Sequence, residues 1–275
     1  MALIQRRDFD AALREGEGAL RADPKHPGAL QLVGALHCQL GRPEQGAPLL
    51  ERSLALAENQ TTRLNLAKAL LDAGRARDAE AALRKGAPSA DAARLMGDIR
   101  KSRGDAAGAV AAYQDAVRQR PDYADAWNNL GNALRETGAL AAALEALERA
   151  AQINPRSATI QLNRARALSA ADRPEAAFEA VQAALALAPH DPQAKLESAK
   201  LQILAERFEE ALALLNEAEA ALSNDSDFWV AKGLAQAGAD ALAEAEASYR
   251  RALALTPSLF ASGSAQCSPA RTATP

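Results

Sequence analysis

The sequence predicts an all-α fold, an α-solenoid of stacked antiparallel helix pairs, and three observations predict it. Alanine and leucine supply most of the 48% hydrophobic residues, while aromatics amount to only 4%. Ala and Leu are strong helix formers, and the β-branched and aromatic residues that favour strands are scarce. Prolines recur at a fixed interval: Pro121, Pro155 and Pro189 stand 34 residues apart, and Pro257 lies two such periods further on. Between these prolines the same order of small residues, turn residues and large apolar residues repeats, the mark of a chain built from one supersecondary unit.

At the N-terminal end, Phe9, Ala12 and Leu13 belong to a second helix that closes at Pro24, so the first repeat has only part of its leading helix. Gly34 and Gly41 mark the next repeat, and Ala67 and Gly74 the one after it. Residues 60–89 form a short unit, because Gly86, Ala87 and Pro88 end its second helix early; Glu58 stands where a closing proline is due. From there the register is regular. Gly97, Gly131, Ala165, Ala199 and Gly233 occupy one place in successive leading helices, where a small or missing side chain admits a close partner. Turns follow near Gly104, Gly138, Asp172, Glu206 and Asp240. The second helices carry Ala109, Ala143, Ala177, Ala211 and Ala245 at another small place. Tyr113, Leu147, Val181, Leu215 and Tyr249 are the large residues expected to fill the space left over.

Trp127, Leu130 and Leu134 follow an i, i+3, i+7 spacing, one helix face, and Trp127 and Trp229 are expected in the core. Each closing proline cannot continue a helix and biases the residue before it away from helix, so the unit ends there. The array is expected to span 1–257, a partial first repeat and about seven helix pairs, with residues 258–275, rich in Ser, Ala, Thr and Pro, as a disordered tail.

The segment Tyr123–Pro155 resembles a tetratricopeptide repeat (TPR) at linked positions: Trp127, Leu130, Gly131, Leu134, Gly138, Ala143, Leu147, Ala150 and Pro155. The resemblance implies a right-handed superhelix whose concave side, lined by the leading helices, holds a protein or peptide partner. The central repeats are also similar to the repeat domain of O-linked N-acetylglucosamine transferases. That similarity implies a second reading, a substrate-recruiting arm of a larger glycosyltransferase or sulfotransferase whose catalytic domain lies outside this chain.

Motifs for chemistry are missing. The sequence has no G-x-x-x-x-G-K-[ST], no H-E-x-x-H and no C-x-x-C. His26, His37 and His190 fall in different repeats, and the two cysteines, Cys38 and Cys267, are too distant to suggest a disulfide framework or zinc site. No catalytic residue, cofactor or metal is expected. The net charge of −3, with both signs interspersed, argues against nucleic acid as a partner. No run of apolar residues reaches membrane-spanning length, and a cytoplasmic setting is expected.

Binding is expected on the leading helices. Asn65, Asn129 and Asn163 share one place in three repeats, and Asn128, Asn132 and Arg166 adjoin it. A carboxamide both donates and accepts, so it can bracket a peptide unit without reading its side chain. Such a row resembles the asparagine ladder of the transferase repeats, interrupted here by Leu95 and Glu197. A clamp for a C-terminal carboxylate is excluded, because Gln193 and Glu197 stand where its cations would be.

Overall fold

The computed structural model describes residues 2–256, with side chains from residue 9 onward. Residues 257–275, and with them Cys267 and the expected tail, lie outside the described residues. Fifteen α-helices account for the described chain, and none of its residues is in a strand. The first is α1 (Ala2–Ala22). Helix pairs follow: α2 (Pro27–Gln39) with α3 (Pro43–Leu56), α4 (Gln60–Asp72) with α5 (Ala76–Arg84), α6 (Ala90–Ser102) with α7 (Ala106–Gln119), and α8 (Ala124–Glu136) with α9 (Leu140–Ile153). Then come α10 (Ala158–Ala170) with α11 (Pro174–Leu187), α12 (Pro192–Leu204) with α13 (Phe208–Leu222), and α14 (Ser226–Gly238) with α15 (Leu242–Leu255). The chain divides into two compact units, 1–153 and 154–275.

Every leading helix in these pairs has 13 residues. Six of the seven starts are set by side chains that accept a backbone N–H of the first turn: His26, Asn59, Ser89, Ser157, Asp191 and Asp225; at α8 the N-cap residue, Tyr123, makes no such bond. Asn59, the first residue of a glycosylation sequon, thus has its carboxamide oxygen engaged by the Thr62 N–H at 3.0 Å. Their ends are set by one residue in the left-handed region, Gly at 41, 74, 104 and 138, then Asp172, Glu206 and Asp240 at φ of 56–59°. The non-glycine turns all lie in the second unit, where each pays for a Cβ in that region. The short α5, nine residues against fourteen in most second helices, ends ahead of Gly86 and Pro88.

The fixed Gly positions are close-approach sites. A Cβ built on Gly97 would run into the Tyr113 ring, one on Gly233 into Tyr249, one on Gly131 into Leu147 and one on Gly34 into Leu50. Within each unit a leading helix packs on its own second helix and on the second helix before it. Successive leading helices also meet, α4 with α6 in the first unit and α10 with α12 and α12 with α14 in the second. Fully buried Leu30, Leu50, Ile99, Tyr113 and Leu147 hold the first unit, and Ile160, Val181, Leu196, Leu215 and Phe228 the second.

The two tryptophans occupy the same place in the repeat, three periods apart, yet one of them differs from expectation. Trp229 is buried and Trp127 is only partly so. The reason is the small second-helix residues around it: Ala142 and Ala146 of α9, with Val117 of α7, leave a groove between those helices with Trp127, Leu130 and Leu134 at its floor. Both indoles donate to the carbonyl six residues back, Trp127 to Pro121 and Trp229 to Ser223, each at 2.9 Å. Ser223 therefore does what the closing proline does, because the contact uses a backbone oxygen. Among the described residues no helix is long and apolar enough to cross a membrane.

Candidate protein-binding face

The leading helices present a polar face in the first unit that is organised around one carboxylate. Asp98 of α6 accepts the Tyr113 hydroxyl at 2.7 Å, the Asn129 carboxamide at 3.1 Å and the Arg94 guanidinium at 2.7 Å. Burial and the adjacent Asp98 push the Tyr113 phenol far above its ordinary pKa, so it remains a donor. Beside this cluster Asp91 accepts from Arg120 at 2.7 Å and from the Tyr123 hydroxyl at 2.8 Å. Tyr123 in turn accepts from Arg94 at 2.8 Å, and the Arg120 guanidinium lies 4.5 Å from its ring centre. Side-chain positions on this face are thus fixed by a connected network rather than by packing alone.

The hydrogen bond from Arg120 holds the Asp91 carboxyl below the usual carboxylate range, against the opposing effect of burial. A depressed acid stabilises the fold above its unfolded pKa of about 3.9, and loses that contribution as pH falls through the lower folded value. Asp91→Asn is therefore expected to cost under about 1 kcal/mol near neutrality, because both partners remain exposed to water. The difference from wild type should shrink below about pH 4. Urea melts of the two proteins at a series of pH values check this; a gap that widens in acid would contradict it.

The asparagines divide by environment. On α8, Asn128 is 9% exposed and donates weakly to Asn129 Oδ1 at 3.4 Å, while Asn129 is engaged with Asp98. Asn132 lies one turn further on, and its Oδ1 is buried without a hydrogen-bond partner among the described residues. Asn65 of α4 lines a cleft of about 320 Å³ with Ala35, Cys38 and Gln39 of α2 and the ion-paired Lys68 and Asp72. Burial, followed by Asp72, pushes the Cys38 thiol up, which disfavours the thiolate.

In the second unit Asn163 is 8% exposed, and Arg166 is held by its neighbours: Nε donates to Glu197 at 3.0 Å and Nη2 to Gln193 at 2.6 Å. Glu197 also meets Lys200 at 3.5 Å. Polar residues on a groove face are expected in water, yet Asn128 and Asn163 are almost fully buried. Glu197, which stands where a carboxylate clamp would need a cation, is itself flanked by two cations, Arg166 and Lys200.

Sequence reasoning passed over two features. One is the Asp98 cluster, which joins groups from α6, α7 and α8 that are remote in sequence. The other is an apolar groove of about 330 Å³ in the second unit, lined by Ser169, Lys200, Ile203, Leu204, Asp227, Val230, Ala231 and Leu234. Its signal was available: positions 166, 200 and 234 share one place in the 34-residue register, and Arg, Lys and then Leu occupy it. Among the described residues no group of three or more His, Cys, Asp or Glu is placed to hold a metal.

Four family models match along the chain: tetratricopeptide repeat models over residues 1–61, 124–157 and 168–237, and a TPR repeat model over 97–138. No curated protein matches. Among solved structures, the chain is similar to the APC/C hetero-tetramer Cut9-Hcn1, with a TM-score of 0.73 at 18% identity over 95% of this chain. It spans about half, 53%, of that protein's chain. It is also similar to pilF of Pseudomonas aeruginosa, with a TM-score of 0.64 at 19% identity, covering 75% of this chain and 96% of that one. A thermophilic TPR protein of Thermus thermophilus gives 0.54 at 24% identity, covering 65% of this chain and all of the other. At these identities the likeness is one of fold.

Proposed function

The chain belongs to the tetratricopeptide repeat family, and from that premise we propose that it is a non-catalytic scaffold whose leading helices hold an extended segment of a partner protein. The observation that carries the reading is the orphaned Asn132 oxygen beside Asn129 on α8. A buried acceptor without a donor costs roughly 1–3 kcal/mol, and turning the carboxamide of the half-buried Asn132 outward to a backbone N–H of a bound segment would relieve that cost. Asn65, Asn129 and Asn132 make the direct contacts in this reading. The buried Asn128 and Asn163 and the tethered Arg166 hold the helix faces in place. Support also comes from the Cut9-Hcn1 hetero-tetramer, an assembly of two different proteins to which this chain is similar in fold.

The test is a titration. A partner recovered on the immobilised chain is reduced to its binding segment and measured against wild type and an Asn129→Ala, Asn132→Ala double variant. Two lost hydrogen bonds of about 0.5–1.5 kcal/mol each predict roughly a five- to hundredfold loss of affinity. Equal affinity for both proteins would remove the asparagines from recognition.

A further inference from the structure

The second unit carries an exposed apolar surface that its own packing does not use. Leu204 is 71% exposed, Leu234 48% and Val230 42%, and all three line the groove between α12 and α14. Apolar side chains clustered around one groove are the usual mark of a docking site. The volume of about 330 Å³ is at the lower end for ligand sites, enough for one or two apolar side chains.

Charge decides what accompanies those side chains. α12 ends at the groove residue Leu204 and α14 ends one turn past Leu234, and neither helix has a basic residue in its last turn. Their partial negative charge is therefore uncompensated. The turn residues that follow, Glu206 and Asp240, are exposed carboxylates with no ion-pair partner among the described residues. Lys200, the cation among the lining residues, is directed to carboxylates: 3.5 Å from Glu197 and 4.0 Å from Asp227. Over residues 154–256 there are ten Lys and Arg against fifteen Asp and Glu. An acidic partner would be repelled, and a purely apolar one would leave the carboxylate end unmatched.

We infer that this groove docks a basic amphipathic segment of a partner protein, with leucine-type anchors between Leu204, Val230 and Leu234 and lysine or arginine against Glu206 and Asp240. The inference rests on the leading-helix face being a partner-binding surface, and it names the chemistry of the partner there.

The probe is a short labelled peptide of leucine and lysine in amphipathic order, compared with its counterpart carrying glutamate for each lysine, both titrated against the full chain by fluorescence anisotropy. The leucine–lysine peptide is expected to bind, more tightly at low salt, and the glutamate peptide at least about tenfold more weakly. Leu204→Ser with Leu234→Ser should lower affinity about a hundredfold, since each buried leucine contributes about tenfold or more. Glu206→Gln with Asp240→Asn should remove the preference for lysine. All four side chains are exposed, so the variants retain the fold. Equal binding of both peptides, or binding untouched by the leucine pair, overturns the inference. So does binding that appears only with Leu259→Ser and Phe260→Ser, which assigns the groove to the chain's own C-terminal segment. So does self-association that the leucine pair abolishes. Asn129→Ala with Asn132→Ala should leave this peptide unaffected. A partner segment insensitive to the asparagine pair but sensitive to the leucine pair would sink the asparagine reading alone.

Discussion

Replacing Tyr113 by alanine is expected to destabilise the first unit by about 3–5 kcal/mol, the usual cost of removing a buried aromatic ring. The ring is 1% exposed and occupies the space that Gly97 leaves open, so no neighbour is placed to fill the hole. The hydroxyl adds a separate component, because it donates to the Asp98 carboxylate at 2.7 Å. Tyr113→Phe isolates it: a hydrogen bond to a charged group contributes about 1.5–3 kcal/mol, and Asp98 keeps Arg94 and Asn129 in that variant. Urea unfolding of the three proteins gives both components. In a repeat array each unit contacts only its neighbours, so hydrogen exchange should quicken first in α6, α7 and α8. A loss below about 1 kcal/mol for the alanine variant would place the ring outside the core and break the Gly97–Tyr113 pairing. Asn129→Ala should share part of the Tyr113→Phe effect, because both lose a donor to the same carboxylate.

The pairing of a small leading-helix residue with a large one sixteen places on was legible because both ends of the contact repeat with the period. Gly34 and Leu50, Gly97 and Tyr113, Gly131 and Leu147, and Gly233 and Tyr249 all meet as that register requires. The turns were legible for the same reason, even where Asp172, Glu206 and Asp240 replace glycine. Burial of the individual asparagines was not. Asn128 and Asn163 look polar and therefore wet in a sequence, yet helix-to-helix packing sets their exposure, and a pattern read one helix at a time does not contain it. Trp127 was misjudged because its burial depends on Ala142 and Ala146, two small residues on the next helix that leave the indole partly uncovered. The Asp98 cluster escaped because the carboxylate that gathers it does not repeat: Asn132, Arg166, Lys200 and Leu234 stand at its place in the repeats that follow. Features carried by the period are visible in a single sequence, and features that distinguish one repeat from the next are not.

Phe228 is such a departure, and replacing it should produce the second large effect. Among the described residues no other Phe or Trp shares its burial: it is 0% exposed, while its neighbour Trp229 meets it edge to face at 5.2 Å and 84°. Together they join Leu196, Leu215 and Leu222 in the core of the second unit. Phe228→Ala is expected to cost about 3–5 kcal/mol, and the pair's edge-to-face contact accounts for roughly 0.5–1.5 of it. Trp229 reports the change directly once Trp127→Phe removes the chain's other tryptophan. Its indole is fixed by Ser223 at 2.9 Å and flanked by the Arg251 guanidinium at 4.7 Å from the ring centre. Loss of the phenyl edge should admit water to that ring, shift its emission to the red and lower the urea midpoint together. Phe228 also sits two residues before Val230, whose side chain lines the apolar groove, so the same variant should weaken binding of the leucine–lysine peptide. Phe228→Leu separates the two consequences. It refills most of the space, so stability and peptide affinity should both return toward wild type while the edge contact stays lost. An alanine variant that unfolds at the wild-type midpoint would show that α14 is held by other contacts, and that its groove-facing residues do not depend on the ring behind them.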